Sequence, residues 1–239
     1  MQTPFSNKKN ARIAGLLYLV VVLTGMFSLA YVPGKIIVWN NPATTVRNIV
    51  ASESLFRLGI LSGLVCYVFF LLLPLALYRL LKPVNSTWAK LMVILAVVSV
   101  PISFINTQHK FAALSLAVDA GYLKAFTSEQ LQAQVMFHLQ QYDKGILIVQ
   151  IFWGLWLLPF GYLVFKSGIL PKFLGVLLMA GCVGYLINFT GHVLVAAYPE
   201  SGLSTYVRLP ASIGEIGTCL WLLIMGAKER KKGIGTAAN

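Results

Sequence analysis

Six apolar runs govern what this chain can become: residues 13–32, 58–77, 91–111, 146–165, 173–197 and 211–227. A bilayer's hydrocarbon core is about 30 Å thick, which a helix crosses in about 20 residues at 1.5 Å each. With no water to bond exposed amides, such runs must satisfy their backbone internally, and helices do so. The expected fold class is therefore all-α, a polytopic membrane protein with six transmembrane helices. Composition agrees, since 58% of the 239 residues are apolar and only 11% charged, against about 25% charged in a soluble domain. A soluble enzyme, a disulfide scaffold and a disordered chain are excluded on that ground. Cys66, Cys182 and Cys219 each sit inside an apolar run without a C-x-x-C partner, so they act as small apolar side chains.

The net charge of +12 is not a basic stripe on a soluble face, so nucleic acid is not a partner; it collects at the ends of the apolar runs, where the bilayer is. Twelve of the nineteen Lys and Arg fall in short segments on one side. These are Lys8, Lys9 and Arg12 before the first run, Arg79, Lys82 and Lys90 in the second connection, Lys166 and Lys172 in the fourth, and Lys228, Arg230, Lys231 and Lys232 in the tail 228–239. The other side carries Lys35, Arg47, Arg57, Lys110, Lys124, Lys144 and Arg208, offset by Glu53, Asp119, Glu129, Asp143 and Glu200. The positive-inside rule then expects both termini in the cytoplasm. Ser28-Leu29-Ala30 is a poor small-x-small cleavage site and the first run continues past it, so that run is expected to stay as a span.

The connections on the basic side are tight and those on the outer side longer. Asn41-Pro42 reads as an N-cap followed by a first-turn proline, opening a short helix towards Arg57. Thr127-Ser128-Glu129-Gln130 has capping-box spacing, and Leu131, Val135, His138 and Tyr142 downstream share one helical stripe. Residues 112–144 are accordingly expected to form a helical hairpin over the outer mouth of the bundle. Leu72-Leu73-Pro74 with Tyr78 and Lys90 parallels Leu157-Leu158-Pro159 with Tyr162 and Lys172, a pattern that a parallel repeat or chance equally produces. Gly59 with Gly63, Gly154 with Gly161, and Gly181 with Gly184 predict close helix approach. Pro74, Pro101 and Pro159 predict kinks.

Polar side chains gather towards the outer ends of the runs. Asn106 and His109 close the third, Asp143 and Gln150 open the fourth, and Asn188 and His192 stack on one face of the fifth. Glu215 lies about a turn inside the sixth run, and Arg57 stands at the start of the second. Ionisable groups in hydrocarbon cost several kcal/mol unless paired or wetted, and they face the bundle interior. The economical arrangement pairs Glu215 with Arg57, or with a protonated His192 or His109, in a cavity open to the outside. Arg57, Asn106, His109, Asp143, Gln150, Asn188, His192 and Glu215 form the candidate ligand-binding set. Each has a plainer reading: a register-fixing ion pair for Glu215, snorkelling for Arg57, an interhelical hydrogen bond for His192 with Asn188. The three histidines show neither H-x-x-x-H nor H-E-x-x-H spacing, so no metal is expected. Nor is there a Gly-rich phosphate loop, a G-x-S-x-G elbow or a haem-type Cys pair, so no cofactor and no catalytic residue is named.

Four stretches carry a family likeness: Leu55-Phe56-Arg57-Leu58-Gly59-Ile60-Leu61, Phe152-Trp153-Gly154-Leu155-Trp156-Leu157-Leu158-Pro159-Phe160-Gly161-Tyr162, Ser167-Gly168-Ile169-Leu170-Pro171, and 215–226 with Leu220-Trp221-Leu222-Leu223. Together they resemble a family of bacterial integral membrane proteins known only as domain of unknown function 4386. The resemblance runs from residue 11 to about residue 226 and implies a multi-pass protein of a bacterial plasma membrane, with no catalytic residues to carry over. The expected function is binding or transport of a small amphiphilic ligand in a polar cavity in the outer half of the bundle. Two other classes stay open: an intramembrane enzyme using His192 and Glu215 as acid, base or metal groups, and a non-catalytic assembly or sensor subunit that binds another membrane protein.

Overall fold

A computed structural model describes residues 4–118 and 125–227, all of it helices and their connections. Helix α1 (Pro4–Met26) runs through one π-turn (Phe27–Tyr31) into α2 (Val32–Ile36). Then follow α3 (Pro42–Ala51), α4 (Glu53–Leu81), α5 (Ser86–Ala117), α6 (Ser128–Leu155), α7 (Leu157–Ser167), α8 (Lys172–Leu194) and α9 (Leu203–Ile224). Among the described residues six stretches are long and apolar enough to cross a membrane: α1 with α2, α4, α5, α6 with α7, α8, and α9. The chain is an all-α, multi-pass membrane protein.

The local signals explain where helices begin. Asn41 Oδ1 accepts the Thr44 amide at 2.9 Å with Pro42 in the first turn. At Thr127, Oγ1 accepts the Gln130 amide while Gln130 Oε1 accepts the Thr127 amide, closing the capping box. Asn85, the first residue of the Asn-Ser-Thr triplet, caps α5 by accepting the amides of Thr87 and Trp88.

The six spans pack as a ring in chain order, each on the next, and α9 returns to α1. Its outer surface is apolar: Leu16, Leu23, Ile94, Ile105, Phe173 and Leu194 are all exposed, as lipid-facing side chains are. Inside, Tyr18, Leu73, Leu77, Met92, Trp156 and Phe160 are fully buried. At the end of the ring bearing the connections 82–85 and 168–171, which we call the basic end, helices touch backbone to backbone. A Cβ on Gly161 would stand 2.6 Å from the Gly175 carbonyl oxygen, and one on Gly15 would stand 2.5 Å from the Leu223 amide nitrogen. Gly59 and Gly63 of α4 fit against Val32 and Ser28, so their spacing marks an intramolecular contact. The opposite, loop-rich end has its own small core, where Ile36, Ile49, Phe56, Ala113, Val135 and Leu139 join α3 to α4, α5 and α6.

At 1.5 Å per residue, α5 is about 48 Å long and α6 with α7 about 60 Å, well beyond the ~30 Å a bilayer core requires. They pack along each other towards the loop-rich end. The tip of the expected 112–144 hairpin, with Asp119 and Lys124, and the tail 228–239 lie outside the described residues.

One boundary differs from expectation, and one expected proline disruption is found. The sixth span starts at Leu203 rather than 211, because Pro210 forfeits a single backbone bond and does not interrupt the helix. Glu215 is therefore twelve residues from the start of α9, about 18 Å, instead of one turn. The fourth span breaks at Trp156, where Pro159 has no N–H for the Leu155 carbonyl and its ring crowds that turn. Pro74 and Pro101 leave α4 and α5 unbroken.

Candidate functional site

The ring is hollow. A cavity of about 230 Å³ lies at mid-bundle, walled by Tyr18, Tyr67, Trp153, Trp156, Tyr185 and Glu215 among others. A second, of about 360 Å³, lies nearer the loop-rich end, walled by Trp39, Lys110, Tyr142, Asp143, Gln150 and Arg208 among others. Leu29, Trp153 and Tyr185 line both, so the two adjoin as a deep and an outer chamber. The Tyr67 and Tyr142 hydroxyls, 3.4 Å apart, connect their walls by a hydrogen bond.

The deep chamber is aromatic. The Trp156 ring stacks on Phe160 at 5.1 Å and meets Phe70 edge-on at 5.2 Å, which fixes its wall. Its ionisable side chain is Glu215, whose Oε1 accepts the Tyr18 hydroxyl proton at 3.0 Å. The chamber also opens sideways. α1 and α9 touch at the basic end, where the Cys219 thiol faces the Gly15 carbonyl at 3.7 Å. Further along, the lining residues Met26, Leu29, Ser212 and Ile216 are exposed on the lipid side of the same helix pair.

The outer chamber holds the charge. Lys110 is only 5% exposed, and the π-turn explains how its ammonium is held. In an unbroken α-helix the Val32 amide would bond the Ser28 carbonyl; here it bonds Phe27 instead. The released Ser28 carbonyl accepts from Lys110 Nζ at 3.2 Å, the Ser28 hydroxyl does so at 3.4 Å, and the ammonium sits 4.2 Å over the Tyr142 ring. Across the chamber Arg208 donates its Nε to the Ser204 carbonyl at 3.0 Å.

Several expected residues gather here, some as wall and some as support. Asp143 and Gln150 line the outer chamber. Asn188 stands behind Gln150, donating Nδ2 to Gln150 Oε1 at 2.9 Å, and His192 donates Nδ1 to the Asn188 carbonyl at 2.8 Å. Asn106 donates Nδ2 to the Tyr142 carbonyl at 2.9 Å, in space left by Gly145. Glu215 belongs to the deep chamber.

Two residues do not belong. Arg57 is exposed on α4 and pairs with Glu53 one turn away at 2.6 Å; among the described residues this is the ion pair within 4 Å. The expected Glu215–Arg57 pair is replaced by a local pair for Arg57 and by the distant Tyr18 hydroxyl for Glu215, and neither His192 nor His109 meets Glu215. His109 lies on the α5–α6 seam, its Nδ1 3.2 Å from Nδ1 of His138. No group of three His, Cys, Asp or Glu side chains suited to a metal ion occurs among the described residues.

Sequence reasoning passed over Tyr18, Lys110 and Arg208. Lys110 did leave a signal: Ser99, Ser103, Asn106 and Lys110 recur at helical spacing, and all four are buried.

These features define a class: a six-span, all-α membrane protein whose ring encloses an aromatic chamber and a charged one. A family model described as "Domain of unknown function (DUF4386)" matches residues 13–226, and the chain belongs to that family. It is also similar to an uncharacterized protein of the archaeon Archaeoglobus fulgidus, 29% identical over 159 residues that make up 64% of this chain and 74% of the relative. No solved structure matches the chain.

Proposed function

We propose that this protein binds a small amphiphilic molecule in the two adjoining chambers and exchanges it with the bilayer between α1 and α9. The carrying observation is the gradient inside the cavity, from the charged wall of Lys110, Asp143 and Arg208 to the aromatic wall of Trp153, Trp156 and Tyr185. A wholly polar solute would leave the aromatic wall unused, and a wholly apolar one would bury charge without compensation. In this reading the loop-rich end faces outwards from a plasma membrane and both termini are cytoplasmic, as the basic residues argue.

The test uses the full chain in lipid nanodiscs with a photoactivatable single-chain amphiphile, and peptide mapping of the crosslinks. Adducts on Leu29, Trp153 or Tyr185 are expected. Adducts confined to the lipid-facing Leu23 and Ile105 would overturn the reading. Orientation is checked by impermeant thiol labelling of Glu200→Cys in a cysteine-free background, which should react from the outside of intact cells.

A further inference from the structure

We infer that the outer chamber is a site for an anionic headgroup, a phosphate or carboxylate, whose single apolar tail lies in the deep chamber or between α1 and α9. This rests on the ligand-binding reading above and names the chemical class of the ligand.

The first support is charge accounting. Lys110 and Arg208 put two cations on the chamber wall against the single carboxylate of Asp143. Within 4 Å of either cation the described residues hold no carboxylate; the ion pair among them is Arg57–Glu53, on the outer face of α4. A buried charge is stabilised by a partner charge or a metal, and one left without either is expensive. Ser28 and the Tyr142 ring solvate the Lys110 ammonium, and Asp143 acts on it from the same wall beyond ion-pair distance, so of Lys110 and Arg208 one cation is left without a counter-charge. A bound anion would supply it.

The second support is donor geometry. Arg208 uses Nε on the Ser204 carbonyl, and among the described residues its two Nη groups make no hydrogen bond. A guanidinium with that edge free suits bidentate binding of phosphate or carboxylate oxygens. Gln150 spends Oε1 on Asn188, which leaves its NH₂ as a neutral donor on the same wall. Anionic oxygens thus meet an ammonium, a guanidinium and an amide, with Asp143, exposed at the wall, excluding a second negative group.

The third support is the exit for a tail. The chamber adjoins the aromatic one through Leu29, Trp153 and Tyr185, and that one opens to lipid past Met26 and Ile216. A headgroup at Lys110 therefore has an apolar path leading from it into the hydrocarbon.

The experiment measures binding of three amphiphiles of equal chain length, an alkyl phosphate, an alkyl alcohol and an alkylamine, to the full chain in uncharged nanodiscs. Inorganic phosphate is titrated alone and as a competitor. The alkyl phosphate is expected to bind at least tenfold more tightly than the other two. Lys110→Met and Arg208→Gln should each remove most of that preference and leave the alcohol unchanged, whereas Lys110→Arg should retain it. Arg208 is half-buried and does not support the π-turn, so its variant reads the site even if Lys110→Met fails to fold. Competition by inorganic phosphate at similar concentration would identify a free anion as ligand and overturn the tailed form of the proposal; no competition supports a lipid. Equal binding of all three amphiphiles would overturn the anionic site while leaving the ligand-binding reading intact. Binding of none would remove that reading too.

Discussion

The two ends of the ring differ in what fills the space between the helices. At the basic end, glycines let backbones touch: Gly15 on α9, Gly161 on Gly175, with no room for a methyl group between them. At the loop-rich end α8 and α9 still touch, a Cβ on Gly184 meeting the Val207 carbonyl, but across the ring large side chains such as Trp153, Tyr142 and Lys110 surround a charged chamber. Close packing in lipid draws on dispersion and small residues, since lipid supplies no hydrophobic drive for helices to associate. One end therefore supplies cohesion and leaves the other free to be hollow. A cavity in a membrane bundle needs such an anchor, because every side chain turned inwards to line it is lost to helix–helix contact.

Substitutions at the two ends should differ accordingly. The largest effect is expected from Gly161→Val, which drives a side chain into the α8 backbone; overpacking of this kind costs about 1–3 kcal/mol or more. A thermal shift assay in detergent should show a marked loss of folded protein, and an unchanged midpoint would refute the cohesive role of this seam. Next is Tyr18→Phe, which removes the hydroxyl held by Glu215 at about 1 kcal/mol; chemical or thermal denaturation beside wild type measures it. A smaller loss is expected from Asn106→Ala, whose amide bonds one carbonyl of α6. Because that bond sets the α5–α6 approach at the hollow end, amphiphile affinity should fall more than stability. The smallest effect belongs to Arg57→Ala, which breaks an exposed pair one turn apart on one helix, worth about 0.5 kcal/mol or less. If amphiphile binding vanished with Arg57, the division between wall and outer surface drawn here would be wrong.

The spans and the local caps were the more legible features. Runs of apolar residues fix six spans because length and hydrophobicity suffice in a bilayer, and the caps at Asn41 and Thr127 follow from side-chain chemistry one turn long. The hollow end resisted for physical reasons. Glu53 is four residues before Arg57, a local pairing that competes with any distant carboxylate, yet beside an apolar run it reads equally as a charge of the outer side. Lys110 reads the same way from its place at the end of the third run, although its spacing from Asn106 and Ser103 puts all three on one buried face. Arg208 stands three residues before the apolar run that starts at 211, so the run alone leaves it among the outer-side charges, whereas α9 already begins at Leu203. Tyr18 is a lone hydroxyl in an apolar run, and nothing in its neighbours announces Glu215 nearly two hundred residues later. That contact exists only because the last helix closes the ring on the first.

The π-turn at Phe27–Tyr31 carries a final consequence for how the first helix is decoded. A π-turn adds one residue to the helical count, and one residue is about 100° of rotation. Any helical wheel drawn straight through Pro4–Ile36 therefore mixes two faces that are out of phase. Ala11, Ala14 and Tyr18 define one buried azimuth, and Ser28, Val32 and Ile36 define another. Deleting a single amino acid between Ser28 and Val32 would turn the π-turn back into α-helix with the Val32 amide still on the Phe27 carbonyl, now as an ordinary i→i−4 bond, and would leave the two faces where they stand.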